Sequence, residues 1–363
     1  MSEFSEFCRI LQEKSGMTIY QMAKVSGMER TALNRMVIGK RIPKQEDVDA
    51  FCKVVRANEK EKAWLRELYI MEKMGKKCYD NAQFIEKLLQ ELRQMKESEK
   101  LVFPPPIPNI GAEYEPMKPF MEGKEELERL IYQLLEKEYR RKRETELYSN
   151  FPAKGNMLFM AMSHFEYKYG RGIPLYHFFN LNVNPEKYYD ADCNLKVMYY
   201  TLMWVLQKGA DYIPYYTYSQ LMLNDMELQM MPYYLVTAGG VLLISDDFQQ
   251  GIFLDNPDTI HFYQEKMQGI RTQMKPLYQI VTAQRRDTAR KAIDIKYTEE
   301  KVRITKQKEK GRCVTVVITE SSLCEAFSDY FSFLEEKKWS AHGGAHIEQT
   351  ESSGYTTEER VQF

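Results

Sequence analysis

The side chains best suited to chemistry in this 363-residue chain are polar and basic groups near its beginning. Four of them share the outward face of one predicted helix, and each can form hydrogen bonds to base edges or phosphates. These four are Arg30, Thr31, Asn34 and Arg35. Three basic residues that suit phosphate contacts follow, and they are Lys40, Arg41 and Lys44. Because Glu29 is the one acid among them, the stretch predicts a surface for double-stranded DNA.

Two short helices joined by a tight turn are predicted to position these side chains. Thr18 has the place of an N-cap, with Gln21 three positions on in a capping-box pattern. Gly27 stands where the turn needs a positive φ, and Gly39 is expected to end the second helix. The inward positions of the second helix are apolar, namely Leu33, Met36 and Val37. This layout is typical of proteins that place one helix in the major groove, and a plain helical hairpin is the alternative.

At these residues the chain resembles the Cro/C1 (XRE) family of helix-turn-helix domains, over roughly Phe4 to Tyr69. The resemblance implies a five-helix, all-α domain with a recognition helix from Glu29 to Val37. It also implies that apolar stripes close the bundle, and these comprise Phe7, Ile10, Leu11, Val48, Phe51, Leu65 and Leu68. Many family members carry a glutamine that contacts the DNA backbone where Ile19 stands here. We therefore expect Thr18 or Tyr20 to make that contact.

Charge is unevenly distributed along the chain, although the formal net charge is only −1. Residues 1–75 hold 14 Lys and Arg against 11 Asp and Glu, so the remainder is acidic. A local basic surface on a nearly neutral molecule favours sequence-selective binding over bulk coating of nucleic acid. The six cysteines form no CxxC pair, and no apolar run approaches the length of a membrane span. We expect a soluble, cytoplasmic protein without metal, cofactor or membrane partner.

Three regions are predicted. Residues 1–75 form the helix-turn-helix domain, residues 76–123 a connecting helix with a Pro-rich linker, and residues 124–363 a sensor or oligomerisation domain. The linker contains three consecutive prolines, which exclude a helix and favour an extended spacer. The connecting helix, predicted over residues 78–97, suits dimerisation and packing on its own chain equally well.

The third region is predicted to be an α/β or α+β domain with a mixed sheet. Its first helix is expected over residues 123–147, where the basic run at 140–143 indicates a solvated helix end in preference to a second DNA contact. Gly239 and Gly240 predict a two-residue hairpin turn. Residues 233–267 weakly resemble sensor halves of bacterial regulators, including phospholipase-D-like effector domains, without the His-x-Lys pair of such enzymes.

Few residues suggest catalysis or metal binding. His342 and His346 have the spacing of a zinc pair, but two intervening glycines disfavour the helix that such a pair needs. Asp246 and Asp247 favour a solvated turn over a cation site. His177 lies among crowded aromatic residues, which favour a packed core, with a pocket for a small apolar ligand as the alternative. No nucleophile or phosphate-loop motif is present, so no enzymatic activity is expected.

The favoured prediction is a transcriptional regulator of bacterial type. Its first domain would bind double-stranded DNA, and its second half would dimerise, sense a small-molecule or peptide effector, or both. Since one such domain covers few base pairs, we expect a homodimer on two half-sites. Two alternatives remain open. One is an enzyme fused to a DNA-targeting domain, and the other is a protein-interaction adaptor of the antitoxin-like kind.

Overall fold

Two compact units make up the chain in a computed structural model. The described residues are 2–94, 117–141, 143–154, 157–183, 193–219, 230–284, 293–298, 300–307, 312–340 and 359–360. The first unit comprises Met1–Lys87 with Glu325–Ser352, and the second comprises Leu88–Cys324 with Ser353–Phe363. Most of the predicted Pro-rich linker, residues 103–116, lies outside the described residues, as do His342 and His346. The predicted boundaries at residues 75 and 123 stay predictions.

Eleven α-helices occur among the described residues. They are α1 (Glu3–Ser15), α2 (Ile19–Ser26), α3 (Arg30–Val37), α4 (Gln45–Val54), α5 (Glu59–Met74), α6 (Lys76–Gln94), α7 (Lys124–Arg140), α8 (Met157–Tyr169), α9 (Cys193–Lys208), α10 (Pro257–Gln273) and α11 (Ser321–Ser340). A 3₁₀ turn at Gly209–Asp211 follows α9. Helices α1 to α6 account for the start of the chain, which confirms the predicted all-α N-terminal region.

Apolar side chains at helical spacing close α1 to α5 around one core. Leu11, Met22, Leu33, Phe51 and Leu65 are each at most 2% exposed, so every one of the five helices contributes a buried anchor. One residue of the predicted stripes is placed differently. Ile10 is 47% exposed, because α1 turns Phe4, Cys8 and Leu11 inward instead.

The first unit also contains most of α11. Phe333 of α11 is 1% exposed, and its ring meets the edge of Tyr79 of α6 at a centroid distance of 5.7 Å. Polar contacts flank this apolar pair. They join Lys73 Nζ to Glu336 at 2.7 Å, Asn81 Nδ2 to Asp329 at 2.8 Å and Lys337 Nζ to Glu86 at 3.1 Å. The early part of the predicted connecting helix therefore packs on its own chain.

The second unit is built on two sheets. Its strands are β1 (Phe120–Glu122), β2 (Leu147–Ser149), β3 (Leu175–Asn182), β4 (Tyr212–Ser219), β5 (Tyr233–Val236), β6 (Val241–Ile244), β7 (Gln250–Leu254), β8 (Lys275–Pro276), β9 (Tyr278–Gln284), β10 (Ile293–Thr298), β11 (Lys301–Gln307), β12 (Arg312–Ile318) and β13 (Glu359–Arg360). The larger sheet has the order β1-β7-β6-β5-β2-β3-β4-β8, with β2-β3-β4 parallel and its other pairings antiparallel. The smaller sheet, β13-β10-β11-β12-β9, is antiparallel. The predicted mixed sheet is thus confirmed.

Helices cover both faces of the larger sheet. Successive residues of a strand point to opposite faces, so neighbouring residues of β3 contact different helices. On one face of β3, Phe178 packs with Met267 of α10. On the other face His177 lies 5.6 Å, centroid to centroid, from the Phe159 ring of α8. Aromatic residues of β3 and α8 therefore pack on both sides of this sheet.

Two local predictions need correction. The hairpin between β5 and β6 turns at Ala238-Gly239, one residue earlier than predicted, since Thr237 N–H donates to Gly240 O at 2.9 Å. A Cβ on Gly240 would lie 2.3 Å from the Phe253 ring, so this glycine permits a close approach. Helix α7 ends at Arg140, where Arg141 takes an extended conformation, instead of continuing to residue 147.

Candidate nucleic-acid interface

The turn between α2 and α3 has the geometry that its sequence predicts. Thr18 caps α2 by accepting the Gln21 N–H at 3.3 Å, while Gln21 Oε1 accepts the Thr18 N–H at 2.9 Å. Gly27 has a φ of +73°, so it ends α2 in the left-handed region where only glycine is unstrained. Three residues, Gly27 to Glu29, separate the helices, which is the short connection of a helix-turn-helix.

Helix α3 divides cleanly into an inward and an outward face. Its inward side chains, Leu33, Met36 and Val37, are at most 5% exposed and join the core of the domain. The four predicted base-contacting residues, Arg30, Thr31, Asn34 and Arg35, are all exposed. The hydrogen-bonding side chains therefore lie along one stripe of α3. They take no part in the apolar contacts that hold the helix in the domain.

A Schellman motif fixes the chain just beyond α3. Gly39 has a φ of +71°, its N–H donates to Met36 O at 3.2 Å, and the Lys40 N–H donates to Arg35 O at 2.8 Å. The motif turns the backbone sharply at the end of α3 and places Lys40 and Arg41 directly after it, both exposed. Lys44 follows as the exposed N-cap residue of α4, so all three predicted phosphate contacts are accessible.

The basic side chains of this surface are available to a ligand. Within the described part of the chain, Arg30, Arg35, Lys40, Arg41 and Lys44 form no side-chain ion pair. Several basic residues elsewhere in the domain are instead engaged in ion pairs, as Arg66 is with Asp49 at 2.8 Å. Unneutralised positive charge on one exposed surface attracts an anionic partner with many phosphates.

At the start of α3, two side chains are arranged in a way that the sequence did not predict. Glu29 is the N-cap residue, yet its side chain forms no capping hydrogen bond. Its carboxylate instead accepts a hydrogen bond from the Thr31 hydroxyl. The motif pattern treats an acid here only as a favourable partner of the helix dipole, so it gave no signal for this pairing.

The position that departs from the family pattern lies at the start of α2. Ile19 is half-buried, whereas Tyr20 is 63% exposed and Thr18 is exposed. Thr18 and Tyr20 are therefore both accessible for the contact with the DNA backbone that the Ile19 side chain cannot make. Which of them makes it stays a prediction.

The paired aspartates of the β6–β7 turn and the buried His177 have structural roles. The Asp247 carboxylate accepts hydrogen bonds from Ser245 Oγ at 2.6 Å and from Gln249 N–H at 2.9 Å, which shapes the β6–β7 turn. His177 is fully buried between the Tyr212 hydroxyl and the Phe151 carbonyl. Among the described residues no group of three or more His, Cys, Asp or Glu side chains could hold a metal ion. No helix in those same ranges is long and apolar enough to cross a membrane.

Comparison with known proteins assigns the first region of the chain. Residues 3–65 match the helix-turn-helix domain family, and this match fits an N-terminal domain of the Cro/C1 type. No curated protein matches the chain in sequence. Among solved structures the chain is similar to TrmBL2, described as an archaeal chromatin protein with a novel mode of DNA binding. That similarity covers 76% of this chain and 94% of TrmBL2 at 11% identity, with a TM-score of 0.28.

Proposed function

We propose that this protein is a sequence-specific regulator of transcription that binds double-stranded DNA through α3. The observation that carries the proposal is the exposed stripe of Arg30, Thr31, Asn34 and Arg35, on a helix whose other face is locked into the core. Arginine and asparagine form the bidentate contacts that distinguish bases in the major groove. The match of residues 3–65 to helix-turn-helix domains supports DNA as the partner.

The basic residues beyond α3 have a separate role in the proposal. Lys40, Arg41 and Lys44 would bind phosphates and set the orientation of α3, because phosphate contacts position a protein without reading sequence. The second unit, with its two sheets, would carry dimerisation, effector sensing or both. We propose a binding function without catalysis for the whole chain.

The proposal is tested by selecting from random double-stranded DNA with the purified full-length chain. The expected result is an enriched motif whose binding is lost when Arg30→Ala and Arg35→Ala are combined. A matched control removes two exposed positive charges from other helices of the domain, with Arg9→Ala and Lys60→Ala. If the α3 double variant still bound the motif as the wild type does, the assignment of the recognition helix would be wrong.

A further inference from the structure

Glu29 is a negative charge within the basic surface. It is exposed at the N-terminus of α3, next to Arg30, and its side chain neither caps the helix nor forms an ion pair with a described residue. On binding to DNA it would approach the phosphates together with its basic neighbours. Repulsion between this carboxylate and the phosphates weakens binding to every DNA sequence equally, unless a base donates a hydrogen bond to it.

The contact with Thr31 determines what Glu29 can still bind. The Thr31 hydroxyl donates a hydrogen bond to Glu29 Oε1, which holds the carboxylate on the outward stripe of α3. Oε2 keeps its lone pairs free, and an ionised carboxylate can only accept hydrogen bonds. Residues at the N-terminal end of a recognition helix are the ones that reach base edges. The group presented to the groove is therefore a fixed acceptor.

Only two bases offer a donor to such an acceptor in the major groove. Guanine and thymine present carbonyl acceptors, which repel a carboxylate, whereas cytosine presents N4–H₂ and adenine presents N6–H₂. Adenine also places the N7 acceptor beside its amino group, so a carboxylate approaching adenine meets a repulsive lone pair. Cytosine carries a C–H group on its own ring in place of that lone pair and is the better partner.

We propose that Glu29, held in place by Thr31, specifies a cytosine in each half-site of the bound DNA. The inference rests on the proposed function, since it assumes that α3 lies in the major groove. Thr31 acts here as a positioning residue. Glu29 lowers affinity for non-cognate DNA and so increases discrimination by repulsion as well as by attraction.

The experiment compares motifs selected from random DNA by the wild-type chain and by Glu29→Gln. Glutamine forms a bidentate contact with adenine N6 and N7, so the preference at one position should change from cytosine to adenine. Discrimination in favour of cytosine there should fall roughly tenfold, and affinity for unrelated DNA should rise. Glu6→Gln is the matched control, because Glu6 is an exposed acid in the first turn of α1, and its motif should equal that of the wild type.

A second variant tests the positioning role. Thr31→Val keeps the shape of the side chain without the hydroxyl, so it should weaken the cytosine preference and leave the positions contacted by Asn34 and Arg35 unchanged. An unaltered motif with Glu29→Gln, or a wild-type preference for another base at every position that responds, would overturn this inference while the proposed function stands. Failure of the wild-type chain to enrich any sequence would overturn the proposed function, and this inference with it.

Discussion

Arg35 lies in the last turn of α3, and Lys40 follows the helix. Replacing each side chain by alanine should change DNA binding in a different way. Arg35→Ala should cost about 1–3 kcal/mol on the cognate site and relax specificity at one base pair. Lys40→Ala should weaken binding to all sequences alike and lower the slope of log K against log salt by about 0.9. Titrations of cognate and scrambled DNA over a salt series measure both effects. Equal salt slopes for Lys40→Ala and the wild type would exclude the phosphate contact.

His177 makes the stability of the second unit depend on pH. Its Nε2 donates to the Phe151 carbonyl at 2.6 Å, and its Nδ1 lies 3.0 Å from the Tyr212 hydroxyl. Burial lowers the pKa of His177 to about 3 from an ordinary value of 6.5, because a charged imidazole would lose its hydration. The unfolded chain therefore binds the extra proton first as the pH falls. This contribution to stability is complete above pH 6.5 and is lost progressively down to pH 3.

At pH 4.5 the protonation of His177 should lower the free energy of unfolding by roughly 2–3 kcal/mol. Urea unfolding at a series of pH values would measure this loss. His177→Asn should lower stability at neutral pH and remove most of this dependence between pH 6.5 and 4.5. His261→Asn changes an exposed histidine of α10 and should keep the wild-type profile. If the profile of His177→Asn matched that of the wild type, the buried neutral imidazole would not be its cause.

Among the elements, the Schellman motif after α3 is sensitive to a single methyl group. Gly39→Ala forces a β-carbon into the left-handed region at φ +71° and should cost about 1–2 kcal/mol of stability. The variant should also bind DNA more weakly, because Lys40 and Arg41 follow directly on this turn. Gly39→Asn is the control, since asparagine tolerates this conformation better, and thermal unfolding with DNA titration would compare the two. Equal losses from both variants would exclude a conformational origin.

Helix α11 should contribute substantially to the stability of the first unit. Phe333→Ala removes a ring that is 1% exposed and should lower the free energy of unfolding by about 3–5 kcal/mol. Phe262→Ala changes a residue of α10 that is 54% exposed, and it should lower the free energy of unfolding far less. Hydrogen exchange in α6 would locate the effect, because its amides should lose protection in Phe333→Ala alone. Unchanged protection in α6 would mean that Phe333 is not part of its packing.

The sequence predicted those structural elements that are determined by interactions between residues close together in the chain. The capping box at Thr18, the positive φ of Gly27 and the burial of Leu33 follow from neighbours within a few positions, so the helix-turn-helix and its outward stripe could be placed from the sequence. The packing of α11 on α6 could not be predicted, because Lys337 and Glu86 are 251 positions apart. The periodicity of a helix shows which face is apolar but not which element covers it. At the candidate site, the Glu29–Thr31 pair escaped prediction because it depends on side-chain rotamers.

At the scale of the whole molecule, the placement of charge favours a dimer on DNA. The excess of basic residues is confined to the first 75 residues, and the remainder is acidic, so a single domain offers few phosphate contacts. We expect the selected DNA to contain two half-sites with two-fold symmetry, about 34 Å or one helical turn apart. The mass of the complex in solution should correspond to two chains per duplex. A single half-site bound by one chain would contradict this expectation.

The division of the first unit between the two ends of the chain has a consequence for biosynthesis. The core of α1 to α5 can form once its own residues leave the ribosome, but the α6 surface that α11 covers stays bare until about 250 further residues have been made. At about 5–20 residues per second, that interval lasts roughly 10–50 s. A nascent or prematurely terminated chain would thus expose Tyr79 and its apolar neighbours to chaperones and proteases. The first unit is therefore complete only after α11 has been synthesised.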